Sequence, residues 1–191
     1  MMGRVPADRI RLEVVVGSVR AVRFGPVVAD WFVRRARQDT RFEISVLDLA
    51  DADLPADHTD SPQAQRFRAR VDAADAFVFV TPEYNHGYPA ALKNAVDTAK
   101  EEWRGKPVGF VSYGGLSGGL RATEQLRQVV AEVHMVSVRQ TVSFHQARKR
   151  FDAAGETDDG AAIDSHGRLL DQLSWWADAV RGAHATRPYP G

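Results

Sequence analysis

The chain has no cysteine among its 191 residues. Disulfides, thiolate metal sites, iron–sulfur clusters and cysteine nucleophiles are excluded together. It also has no excess of charge, since 25 Lys+Arg balance 25 Asp+Glu. A nucleic-acid-binding face and an acidic solvating surface both lose their compositional support. No apolar run approaches a membrane span, and "MMGRVPADRI" holds no segment of signal-peptide length. A cytoplasmic protein without membrane or nucleic-acid partners is the expectation. His58, His86, His134, His145, His166 and His184 show no HxH, HExxH or HxxxH spacing. No metal site is expected.

What is present is a hydrophobic fraction of 44% in a chain long enough for one domain with a full core. A single domain over 1–191 is expected, with 1–9 and 183–191 as irregular tails. "RLEVVVGS" and "FEISVLDL" read as strands, with a helix between them that opens at Gly25-Pro26 and carries Val28, Trp31, Phe32 and Ala36 on one stripe. Ser61-Pro62 reads as the N-cap of a second helix striped by Phe67, Val71 and Ala74. "AFVFV", "PVGFVSY" and "MVSVRQTVSF" are three further strands, the last continuing toward an edge segment. Helices striped by Leu92, Ala95, Val96 and Ala99, and by Ala122, Leu126, Val129, Val130 and Val133, follow the first two of these. Residues 145–161 read as a polar surface excursion. Leu169, Leu170, Leu173, Trp176, Ala177 and Val180 stripe a last helix.

Strand–helix alternation with near-continuous apolar strands predicts an α/β three-layer sandwich around a five-stranded parallel sheet in the order 2-1-3-4-5. Such sheets bind ligands beyond the carboxyl ends of their strands, at the switch point. The loops after strands 1, 3 and 4 should therefore meet. The first, "GSVRAVRFGP", leads into a helix N-terminus that favours an anion, with the Ser18 hydroxyl and Arg20 and Arg23 beside it. It is neither GxGxxG nor GxxxxGK[ST], so one phosphate fits better than a pyrophosphate or a nucleoside triphosphate. The second, "TPEYNHGYP", is stiffened by Pro82 and Pro89, with Gly87 free to take unusual backbone angles and Tyr84 or Tyr88 able to stack on a ring. Glu83 and His86 are candidates for acid–base roles, against the plainer reading of solvated side chains, and Lys93 reads as solvated or interfacial. The third, "SYGGLSGG", lets backbone approach a flat heterocycle. Together they describe a mononucleotide site.

"GSVR", "TPEYNHGYPAALKNAVD" and "SYGGLSGGLRATEQLR", in this order over roughly residues 11–140, resemble the NADPH-dependent FMN reductase family. The resemblance implies a flavodoxin-like fold, with FMN as cofactor and NADPH or NADH as reductant. It implies that Ser18, Arg20 and the backbone of Phe24, Gly25, Pro26 and Val27 hold the FMN phosphate. Pro82, Glu83, Tyr84 and Asn85 would line the isoalloxazine, and Ser112, Tyr113, Gly114 and Gly115 its pyrimidine side. Hydride would pass from NAD(P)H to flavin N5, then electrons to free flavin, a quinone, an azo compound or a similar small-molecule acceptor. No side chain need be an acid or base. The resemblance further implies a homodimer or homotetramer. Arginines of the first loop, Arg23 among them, or of the partner subunit would meet the 2′-phosphate of NADPH.

Two other functions stand beside this one. "GLSGG" matches the G-x-S-x-G nucleophile elbow, with Ser117, Asp171 and His184 in the order a hydrolase requires, although Ser117 lies past the expected strand end. A flavodoxin-type electron carrier would share the fold, but neutral charge and this first loop suit it poorly.

Overall fold

The computed structural model describes residues 9–190. β1 (Ile10–Val16), β2 (Phe42–Asp48), β3 (Ala76–Pro82), β4 (Pro107–Tyr113) and β5 (Val136–Phe144) form a parallel sheet in the order β2-β1-β3-β4-β5. Successive side chains of a strand point to opposite faces. Thus Ala76, Val78 and Val80 of β3 join one core with α1 (Gly25–Ala36) and α6 (Gly160–His184), while Phe77 and Phe79 join the other. That second core is closed by α3 (Pro62–Ala73), α4 (Ala90–Thr98) and α5 (Leu120–Glu132). The expected fold class is the one observed.

Local signals act as their chemistry requires. Pro26 stands in the first turn of α1, and the Ser61 hydroxyl accepts from the Ala64 N–H to cap α3. A short helix, α2 (Leu49–Ala52), follows β2 and is capped by Asp48; four residues are too few to show a stripe in sequence. The edge continuation expected after the last strand is part of β5 itself, reached through a register shift opposite Val108–Phe110.

Three expectations need correction. Residues 145–161 are not a mere surface excursion: Phe151 packs edge-on against Phe24, Trp31 and Phe144, and α6 already begins at Gly160. Trp176 leaves the buried stripe of α6 and is 37% exposed beside Trp175, whose ring it meets edge-on. α6 runs to His184, taking in the start of the stretch expected to be irregular, while residues 1–8 of the other expected tail lie outside the described residues. Among the described residues no helix is long and apolar enough to cross a membrane.

Candidate functional site

The loops after β1, β3 and β4 meet, as the strand order demands, around a cavity of about 500 Å³. That lies within the roughly 300–1,000 Å³ usual for small-molecule sites. Arg20, Phe24, Pro82, Glu83, Tyr84 and Tyr113 contribute to its wall, with Gly114 and Gly115 beside them. The helices that leave these loops, α1, α4 and α5, begin without a side-chain cap, whereas α2, α3 and α6 are capped by Asp48, Ser61 and Asp159. At α1 the N–H groups of Gly25 and Val27 find no acceptor among the described residues. Free donors at a helix N-terminus are where an anion gains most.

Ser18 is fully buried, and its hydroxyl lies 2.6 Å from the Tyr84 phenol. It positions Tyr84 and does not line the cavity. Arg20 lays its guanidinium over the Tyr84 ring, 3.7 Å from the centroid. Arg23, expected among the arginines free to meet a phosphate, is instead held bidentately by Asp48, at 2.5 and 2.7 Å, and donates to the Ser18 carbonyl. A carboxylate so placed cancels its charge toward any ligand.

Gly25 lies against the Tyr113 phenol: a Cβ there would meet the hydroxyl oxygen at 2.8 Å. That hydroxyl is buried and makes no close hydrogen bond among the described residues, the nearby Ser18 hydroxyl being engaged with Tyr84, and burial pushes the phenol far above its ordinary pKa. A buried donor left without an acceptor, next to the open N-terminus of α1, fits an anionic ligand group. Pro26 and Val27 sit in the first turn of α1, behind the cavity wall.

The turn after β3 departs from expectation in its backbone. Tyr84 and Gly87 exchange both backbone hydrogen bonds, at 2.8 and 3.0 Å, across a two-residue turn. Asn85 and His86, at φ 49° and 72°, occupy the left-handed positions, and Gly87 does not. Asparagine tolerates that region and histidine less so. α5 holds the turn: an Arg121 guanidinium nitrogen lies 2.7 Å from His86 Nε2, and Gln125 donates to the His86 carbonyl. Asn85 is therefore at an exposed tip, away from the cavity wall, and the Glu83 and Tyr84 N–H groups are engaged with Tyr113 and Gly87.

Glu83 is a strut. Its carboxylate accepts from the Ser117 hydroxyl at 2.5 Å and from Arg121 Nε at 2.7 Å. Burial pushes its pKa up, but these donors outweigh that and leave it below the ordinary glutamate value. Lys93 pairs with Asp97 one turn along α4. Ser112 is buried and donates to the Gly118 carbonyl, fastening the glycine loop from below. Gly119, at φ 88°, is obligatory there, because a Cβ would stand 2.7 Å from Ser112 Cβ and 2.9 Å from the Tyr113 nitrogen.

The hydrolase constellation is absent. Ser117 donates to a carboxylate, Asp171 is ion-paired with Arg41, and His184 packs near Gly105 at the opposite edge of the sheet.

Sequence reasoning missed one wall entirely. Gln146, Ala147, Arg148 and Lys149 line the cavity, as does Val22. The N–H groups of Gln146 and Ala147 donate to the carbonyls of Gly115 and Gly114, at 2.8 and 3.1 Å. The signal was available: β5 lies beside β4, so the chain leaving β5 must run beside the glycine loop.

The model of the NADPH-dependent FMN reductase family matches residues 10–149. The chain belongs to that family. It is 38% identical over 138 residues to an NAD(P)H-dependent FMN reductase of Schizosaccharomyces pombe, covering 65% of this chain and 68% of that one. It is 37% identical over 146 residues to an NADPH:quinone oxidoreductase of Arabidopsis thaliana, covering 73% and 74%. The flavoenzyme NAD(P)H:(acceptor) oxidoreductase FerB of Paracoccus denitrificans superposes with a TM-score of 0.73 at 25% identity, over 89% of this chain and 98% of FerB.

Proposed function

We propose that this family member, an NAD(P)H-dependent flavin oxidoreductase, holds FMN in the 500 Å³ cavity with its phosphate at the α1 N-terminus. The observation that carries this reading is the meeting of three uncapped-helix loops around one cavity. The free N–H groups of Gly25 and Val27, the Arg20 guanidinium and the orphaned Tyr113 hydroxyl offer a phosphate hydrogen bonds and positive charge. Ser18 acts through Tyr84. Pro82, Tyr84 and Tyr113 supply apolar and aromatic wall for a flat ring, and Gly114 and Gly115 keep side chains out of its way.

When bound, FMN supplies the redox chemistry, accepting hydride from NADPH or NADH and passing electrons to free flavin, a quinone, an azo compound or a similar acceptor. The chain binds, orients and tunes. Its Glu83–Ser117–Arg121 strut ties the tyrosine turn to the glycine loop. Glu83 is ionised and ion-paired with Arg121, which argues against its transferring a proton. A homodimer or homotetramer in the cytoplasm is part of the same proposal. Self-association draws support from the exposed apolar residues Val19, Val22 and Leu116 on the loops around the cavity and Leu120 at the start of α5.

A visible absorption spectrum of the purified protein with added FMN, followed by NADPH under nitrogen, tests the reading. A perturbed flavin spectrum that bleaches on NADPH addition is expected. An unperturbed spectrum at micromolar FMN would refute it, and a perturbed spectrum that NADPH does not bleach would favour an electron carrier.

A further inference from the structure

The charges around the cavity do not balance, although those of the whole chain do. Arg23 is cancelled by Asp48, and Glu83, the carboxylate on the wall, is committed to Arg121. Arg20, Arg148 and Lys149 have no carboxylate within ion-pairing distance among the described residues. Three positive charges therefore face one cavity. If Arg20 and the α1 N-terminus serve the flavin phosphate, two cations remain without a role.

These two stand on a built wall. Gln146 enters it in the left-handed region at φ 48°, two backbone hydrogen bonds clamp residues 146 and 147 to the glycine loop, and a short 3-10 turn carries Arg148 and Lys149. The Arg148 guanidinium lies 5.3 Å from the Phe24 ring centroid, and Phe24 is in turn packed on Phe151. The cation thus approaches an aromatic ring at the cavity rim, with no carboxylate within ion-pairing distance among the described residues. A second anionic group, arriving with a ligand that stacks in the same cavity, is what such a wall recognises.

We propose that Arg148 and Lys149 bind the phosphate groups of the reduced nicotinamide dinucleotide, with Arg148 beside Phe24 at the N-cap of α1. The inference rests on the flavin oxidoreductase reading above. It replaces Arg23 with the chain leaving β5 as the part of the site that grips the reductant. Lys149 supplies a point charge, and Arg148 a planar fork of donors.

The test is binding of NADP⁺ and NAD⁺ to the FMN-loaded protein, followed by flavin fluorescence and calorimetry, in the parent chain and in Arg148→Gln, Lys149→Gln and the double variant. Dissociation constants for NADP⁺ are expected to rise about 10-fold or more in the double variant, as is KM for NADPH, with a shallower dependence on salt. FMN affinity should fall by less than dinucleotide affinity does, and Arg148→Lys, which keeps the charge, should recover part of the loss. An effect on NADP⁺ alone assigns the wall to the 2′-phosphate; an equal effect on NAD⁺ assigns it to the pyrophosphate. Loss of FMN affinity with dinucleotide binding unchanged would overturn the inference, as would no change in either. A parent chain that fails to bind FMN would overturn the function itself, and this inference with it. Denaturation midpoints of the variants separate all of these from misfolding.

Discussion

At the amino edge of the sheet, Asp75 accepts from the Arg11 main chain, from both arms of the Arg11 guanidinium and from Arg181. At the carboxyl edge Arg20, Arg148 and Lys149 face a cavity with no carboxylate of their own. The amino edge also engages Lys106, which donates to the carbonyls of Val71 and Asp72 at the end of α3 although burial pushes its pKa down to about 8. The carboxyl edge leaves helix N–H groups open and a tyrosine hydroxyl orphaned. One edge holds the fold together, and the other keeps its polar groups for a ligand. Substitutions should therefore separate into two classes, those that cost stability and those that cost binding.

The largest effect is expected at Asp75. Burial raises its pKa, but the hydrogen bonds from Arg11 and Arg181 outweigh that and hold it at about 2. A depressed carboxylate pKa stabilises the fold above the unfolded value of about 3.9, and that contribution is lost as pH falls from there toward 2. Asp75→Ala should lower unfolding free energy by about 2–3 kcal/mol, because it removes the sheltered carboxylate, only 10% exposed, that Arg11 and Arg181 share. It should also flatten the acid limb of the stability–pH curve. Urea unfolding across pH 2–7 measures both, and FMN affinity should not change. A change in affinity would mean the edges are coupled.

Arg20→Ala is the converse. It should weaken FMN binding by about 1.5–3 kcal/mol, the scale of a charged hydrogen bond, and shift stability by no more than about 0.5 kcal/mol. Fluorescence titration with FMN checks the first figure and urea unfolding the second. Unchanged affinity would place the phosphate elsewhere on the carboxyl edge.

The contrast between edges was partly legible in the sequence. Alternating apolar runs and helical stripes decide the sheet order, and the sheet order alone brings the loops that follow Val16, Pro82 and Tyr113 together. Glycine and proline content then marks those loops as unusual. What sequence could not give is which side chains are already engaged. Ser18, Arg23 and Glu83 carry ligand-binding chemistry, yet each is turned to a protein partner 25 to 66 positions away. The left-handed pair Asn85-His86 was hidden by a neighbouring glycine that is the easier guess. Arg148 and Lys149 were missed because their placement depends on the pairing of β5 with β4 and on the packing of half-buried Phe151 against Phe144. Neither leaves a local motif.

Asp48 offers a way to move a residue between the classes. Asp48→Asn keeps a side-chain oxygen for the Ala50 N–H but releases Arg23 from its pair. Stability should fall by about 1 kcal/mol, since the pair is largely sheltered from water. FMN or dinucleotide binding should tighten by up to about 1 kcal/mol, because a cancelled cation on the cavity wall becomes available. Weaker binding would mean that Arg23 serves by holding the Ser18 carbonyl in place and not by its charge.

The smallest effect is expected at Glu83, where the two classes meet. Its carboxylate belongs to the carboxyl edge but, like those of the amino edge, is fully engaged, and its side chain is 6% exposed. With its pKa held below the ordinary glutamate value, it adds stability above about pH 4.3 that is lost as pH falls through its depressed folded value. Glu83→Gln should keep a hydrogen bond to Ser117 and lose the charge opposite Arg121, lowering stability by about 1 kcal/mol at neutral pH and by less in acid. Because the strut joins the tyrosine turn to the glycine loop, FMN binding should weaken by a similar small amount. Parallel losses in urea unfolding and FMN titration would identify Glu83 as a residue that holds the binding walls together. A loss of turnover with both unchanged would give it a part in the chemistry that its ion pair argues against.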